Sequence, residues 1–165
     1  LTTMNLADAI RYRTQWTIRR YACDEAFALG QPYDVYVIEG NLLLNAGIAE
    51  LLDLAIGAGG VTAYSNGNAR IGVGDSNAAA AAGQVDLQAA VNKTYKAMAA
   101  TYPLRAAQTL TFRAVFAAAD ANYAWEEFVV DNGAAAGKTL NRKVSSQGVK
   151  ASGQTWTVDV AITLS

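Results

Sequence analysis

TWTVDVAITL, residues 155–164, alternates without a break: Trp156, Val158, Val160, Ile162 and Leu164 fall on one side, and Thr155, Thr157, Asp159 and Thr163 on the other. A period of two is what a strand with one buried face requires, because successive side chains leave the pleated backbone on opposite sides. The pattern recurs further up the chain. Leu110, Phe112, Ala114 and Phe116 alternate with Thr109, Thr111 and Arg113, and Trp16 and Ile18 alternate with Gln15, Thr17 and Arg19 in a strand over 15–21. YDVYVIE, 33–39, is rich in β-branched and aromatic residues and follows the turn formers Gly30 and Pro32, so it reads as a strand hairpinned to 15–21. Shorter strands are expected at 69–73, 93–99 and 123–130, the last closed by an Asp131, Asn132, Gly133 turn.

One segment has a different period. Leu44, Ile48, Leu51, Leu52 and Ala55 recur at helical spacing, with Asn45 placed as an N-cap and Gly57 as a stop. Glu50 and Asp53 fall on the opposite side, so the apolar stripe is expected to lie on a sheet. The segment from Ser65 to Lys93 is rich in glycine and turn formers, and Gly74 and Gly83 bracket its five alanines, Ala78–Ala82. It reads as loop, with at most a helical turn over 85–90, because the alanines present no large apolar side to bury. The fold class is therefore mainly β: an antiparallel β-sandwich or flattened barrel of about six or seven strands with one amphipathic helix. Residues 1–14 read as an extended N-terminal arm ordered by contact, and 15–165 as a single β-rich domain.

Composition narrows the chemistry. The 165 residues include no histidine, the usual acid and base near neutral pH, and one cysteine, Cys23, expected as a small buried hydrophobe. Zinc, haem and dithiol chemistry lose their ligands, and no cofactor is expected. No apolar run approaches the roughly 18 residues of a membrane helix, so no membrane partner is expected. No basic stretch leads into an apolar core at the N-terminus, so a cytoplasmic origin is expected. Thirteen cations nearly cancel fourteen carboxylates, which argues against a nucleic-acid partner. The charges cluster, however. Arginines crowd 11–20, cations crowd 138–150 and carboxylates crowd 120–131, a distribution suited to contacts between proteins.

Candidate catalytic patterns fall short of their geometric requirements. Glu126 and Glu127 are adjacent, and neighbours on a strand face opposite ways, so they cannot flank one sugar as a glycosidase pair must. IGVGDSNA, 71–78, supplies only GxG of a phosphate loop; Gly74 is better placed in a tight turn at positive φ, with Asp75 capping its own backbone. Asp75 and Asp131 with Asn77 and Asn132 lack the spacing of a calcium loop. Trp16, Trp125 and Trp156 could form a sugar-binding platform, although aromatics at period-two positions more commonly fill a core or a subunit contact.

EGNLLLNAGIAELLDLAIG (39–57), NARIGVGDSNAAAAAGQVDLQ (68–88), LTFRAVF (110–116) and NYAWEEFVVDNG (122–133), in that order, resemble a module of tailed-bacteriophage minor virion proteins, most of all capsid decoration (cement) proteins. In that module a leucine-rich helix precedes a glycine-rich segment and a run of strands. Ala79–Ala82 depart from it by replacing the expected Thr, Ser and Pro residues. The resemblance implies no catalysis, a homo-oligomer with a trimer favoured, a partner in the major capsid protein or another virion protein, and a place on the virion at the capsid surface. Related modules occur in tail-tip or fibre-associated attachment proteins, and a carbohydrate-binding module is the further alternative. The expected protein interface comprises Arg11, Arg13, Trp16 and Arg19 after the arm, with Glu126, Glu127, Arg142 and Lys143 between protomers. The alanine-bearing loop is expected at the surface, packed against another subunit.

Overall fold

The structure is a computed structural model that describes residues 10–134 and 138–165. Its strands are β1 (Tyr12–Tyr21), β2 (Asp34–Glu39), β3 (Leu42–Leu43), β4 (Arg70–Gly74), β5 (Lys93–Ala97), β6 (Leu104–Ala106), β7 (Thr109–Phe116), β8 (Glu127–Asp131), β9 (Thr139–Val144) and β10 (Thr155–Leu164), and its helices are α1 (Asp24–Ala28) and α2 (Asn45–Ile56). The fold is mainly β, as the alternation requires. Two five-stranded antiparallel sheets form, one in the order β2-β1-β10-β7-β6 and the other in the order β3-β9-β8-β4-β5. The chain crosses from the first sheet to the second at one margin, between β2 and β3, and returns at the other, between β5 and β6.

The three strands with the clearest alternation make the centre of the first sheet. β10 lies between β1 and β7, with Trp156 opposite Phe116 and Val160 opposite Trp16 on one side and Phe112 on the other. Their inward side chains meet Ile71 and Val73 of β4, Phe128 and Val130 of β8 and Leu140 of β9 in one core. Trp125 is fully buried at its centre, with ring centroids 4.8 Å from both Trp156 and Phe116 in edge-on contacts. Large rings packed edge to face place the positive ring edge on the negative face, which adds to the area they remove from water.

Among the described residues ten strands form where about six or seven are expected. β3 and β6 are too short to show a period. β9, TLNRKV, hides because it buries Asn141 and Arg142 instead of apolar residues. The segment 123–130 narrows to β8 at 127–131, preceded by an isolated bridge from Ala124 to Val149. The N-terminal boundary also moves: Tyr12–Thr14 belong to β1, where the Tyr12 hydroxyl donates to Asn41 Oδ1 at 2.8 Å. The backbone of Arg11 pairs with Ser165. The remainder of the expected arm, 1–9, lies outside the described residues. Cys23 is half-buried, since it caps α1 at the surface.

α2 presents a face opposite to the expected one. Gly47 and Glu50 face inward, while Ile48, Leu51, Leu52 and Ile56 are 40%, 42%, 64% and 80% exposed. Gly47 permits this: a Cβ there would stand 2.4 Å from Leu140 Cα and 2.6 Å from its carbonyl oxygen, so the helix touches the backbone of β9 directly. Glu50 then fixes the rotation. Its carboxylate accepts from the Thr62 N–H at 2.8 Å and Asn132 Nδ2 at 2.9 Å, and Lys138 Nζ lies 3.4 Å away. The N-cap is Leu44, not Asn45, because the buried Leu44 side chain and its N–H bond to the Leu140 carbonyl hold that residue extended. Gly57 ends the helix in the left-handed region, as placed.

Candidate interaction surface

The loop between β4 and β5 roofs the outer face of the second sheet. Leu87 and Ala89 are buried on it, while Ala78, Ala79, Ala81 and Ala82 remain exposed. Glu127 and Arg142, diagonal to each other across β8 and β9, hold the roof down. Arg142 Nε and NH2 lie 2.8 and 2.7 Å from Glu127 Oε2, and both side chains are fully buried. Glu127 also accepts from the N–H groups of Gln88 and Ala89, at 2.9 and 2.7 Å. Arg142 NH1 donates to the carbonyl of Ala78 and to Gln84 Oε1. The pair is therefore an internal clamp and is not a protomer contact, which corrects the expectation for both residues.

The roof explains the glycines of IGVG. Gly74 lies in β4 and carries no positive φ, contrary to the tight turn expected there. A Cβ on Gly74 would meet Glu127 Oε1 at 2.5 Å, and one on Gly72 would meet the Tyr95 ring at 2.5 Å. Gly74 makes room for the clamp and Gly72 for the Tyr95 ring. Asp75 accepts from Asn92 Nδ2 at 2.7 Å and so closes the base of the loop instead of capping its own backbone. Beside them Asp86 receives the Lys93 ammonium, the Tyr95 hydroxyl and the Leu87 N–H. Burial opposes ionisation of Asp86, but those donors outweigh it and hold the carboxyl below its ordinary range. Burial and the same carboxylate push the Tyr95 phenol up.

The other expected interface residues separate. Trp16 is fully buried in the core, as are Trp125 and, within 2%, Trp156, so no tryptophan platform faces solvent. Arg11 and Arg13 are exposed at the start of β1. Arg19 reaches the outer face of the first sheet, where its NH1 lies 2.8 Å from Asp159, which Arg113 grips with Nε and NH2 at 2.6 and 2.5 Å. Glu126 points out and accepts from the Ser146 hydroxyl. Lys143, half-buried, donates to the backbone carbonyl of Glu39 at 2.7 Å and so bridges the two sheets at their open margin.

Exposed apolar side chains gather at that margin. β2 is an edge strand with Val35, Tyr36 and Val37 each about half exposed, and α2 follows it in the chain with its four outward apolar side chains. The sequence showed the apolar composition of both elements, but it could not show which side faced out. Among the described residues no group of three or more acidic, cysteine or histidine side chains is placed to hold a metal. In comparisons with known proteins, the chain matches no family model, no curated protein and no solved structure.

Proposed function

We propose that this chain is a non-enzymatic structural subunit of a tailed-phage virion that binds the assembled capsid and stabilises it as a decoration protein, with the major capsid protein or another virion protein as its partner. The observation that carries the reading is the outward apolar face of α2. The sandwich buries its tryptophans and its clamp, yet it leaves Ile48, Leu51, Leu52 and Ile56 in water, held there by Gly47 and Glu50. Covering them removes apolar surface equal to about two full side chains, on the order of 4 kcal/mol before the cost of association. A subunit that binds the assembled shell and not its free parts stabilises the shell by mass action. The order of the helix, glycine-rich and strand segments, which resembles phage virion modules, supports a phage virion as the assembly.

The test is co-sedimentation with heads of the encoding phage. The protein is expected to pellet with heads and raise the temperature at which they release DNA. The pair Leu52→Asp and Ile56→Asp should melt like the parent and no longer pellet. Association with tails alone, or equal pelleting of parent and variant, would overturn the proposal.

A further inference from the structure

We propose that two copies of the chain pair antiparallel through β2, centred on Tyr36, so that the first sheets of both copies join into one. Three independent features of β2 select this occupant and this register.

The first is the direction of its backbone. Arg11 exchanges both backbone hydrogen bonds with Ser165, so by the alternation of an antiparallel ladder the odd-numbered residues of β1 face β10 and the even-numbered ones face β2. The bond from Gly40 N–H to the Thr14 carbonyl agrees. On β2, Tyr36 and Ile38 therefore bond to β1, while Val35, Val37 and Glu39 direct their backbone groups away from the sheet.

The second is a stop built into that edge. Lys143 Nζ occupies the outward carbonyl of Glu39 at 2.7 Å, so that among the described residues Val35 and Val37 are the strand residues with both outward groups free. Two residues of one parity, each with a free donor and acceptor, complement a copy of themselves. Val35 pairs with the partner's Val37, and Val37 with the partner's Val35, each pair exchanging both N–H···O bonds and neither displacing Lys143.

The third is side-chain matching. In this register Tyr36 meets the partner's Tyr36 on the inward side, valines meet on the outward side, and Asp34 faces the partner's Ile38. A shift by one residue in either direction would set Val35 and Val37 against even-numbered residues already bonded to β1, and in one direction it would also set Asp34 against the partner's Glu39, like charges directly opposite. Val35, Tyr36 and Val37 are 49%, 51% and 51% exposed, so pairing also covers the longest apolar run on any edge of the described residues. The contact is isologous and closes on itself, giving a twofold dimer in place of the trimer that the resemblance implies.

Light scattering on the full chain tests the stoichiometry, with twice the chain mass expected. Register is read by oxidation in a Cys23→Ala background. Tyr36→Cys places two thiols on a non-hydrogen-bonded pair with Cα atoms about 4.5 Å apart, inside the window for a disulfide. Val37→Cys sets its two copies two residues out of step, beyond the roughly 7 Å limit. Rapid cross-linking of the first, with at least tenfold less of the second, is expected. A monomeric parent, a Val37→Cys product as abundant as that of Tyr36→Cys, or a dimer that Tyr36→Cys does not cross-link would each overturn the pairing. The inference extends the docking role proposed above, and the two fail separately. A monomer that still pellets with heads removes the pairing alone, whereas a β2 dimer that ignores heads removes the capsid role alone.

Discussion

Arg142→Ala should be among the most damaging single changes outside the aromatic core. Its guanidinium is fully buried, shares Glu127 Oε2 through two nitrogens, and ties down the Ala78 carbonyl and Gln84 of the roof. Were it a surface pair, its loss would cost about 0–1 kcal/mol. Here truncation strands the Glu127 carboxylate without its counter-ion, and breaking a buried pair by removing one partner costs about 3–5 kcal/mol. A chain of this size loses about 2–4 °C of melting temperature per kcal/mol, so a fall of roughly 6–20 °C is expected. Urea unfolding followed by the fluorescence of the three buried tryptophans measures the first quantity. Hydrogen exchange at the Gln88 and Ala89 amides, which Glu127 accepts, measures whether the roof has lifted. The double variant Glu127→Ala/Arg142→Ala should cost less than the sum of the singles, by about 0.5–3 kcal/mol. An Arg142→Ala cost below about 1 kcal/mol with Gln88 and Ala89 still protected would refute the clamp.

Two further outcomes follow from the seating of α2. Gly47→Ala forces a methyl to within 2.4 Å of β9 backbone, which cannot rotate aside, and should destabilise by about 1–3 kcal/mol or more in thermal unfolding. The Thr62 N–H, opposed by burial and aided by Lys138 and Asn132, holds the Glu50 carboxyl below its ordinary value of 4.5. A depressed carboxylate contributes stability that is present above its unfolded pKa and lost as pH falls through the folded one, so this contribution should vanish only below about pH 4.5. Urea midpoints between pH 7 and pH 3 should therefore fall less steeply in acid for Glu50→Gln, which starts from a lower value at pH 7.

What the sequence revealed depends on whether a face is buried by apolar side chains or by polar ones. β1, β7 and β10 each present one apolar face to the core, so their period of two is visible and their spans nearly match the structure. β9 buries Asn141 and Arg142 through partners distant in the chain, and nothing in TLNRKV announces those partners. The rotation of α2 has the same origin. Leucines suggest one inward face, but a glycine that admits backbone contact and a carboxylate with three donors outweigh them. Gly74 reads in the sequence as a turn glycine at positive φ, but it lies in β4, and what it and Gly72 leave room for, Glu127 and Tyr95, are side chains of neighbouring strands that local sequence does not reveal. Of the expected interface, Arg11, Arg13 and Glu126 are at the surface, whereas Trp16, Glu127 and Arg142 are interior. Local charge clusters do not reveal which cations and carboxylates the fold pairs internally.

In the proposed role, α2 holds its apolar face in water until a capsid covers it. Thiol labelling of Leu52→Cys in a Cys23→Ala background measures this directly. In the free protein the thiol should label as fast as an unstructured one, and at least tenfold more slowly once phage heads are added. Slow labelling in the free protein, or a rate that heads leave unchanged, would contradict it.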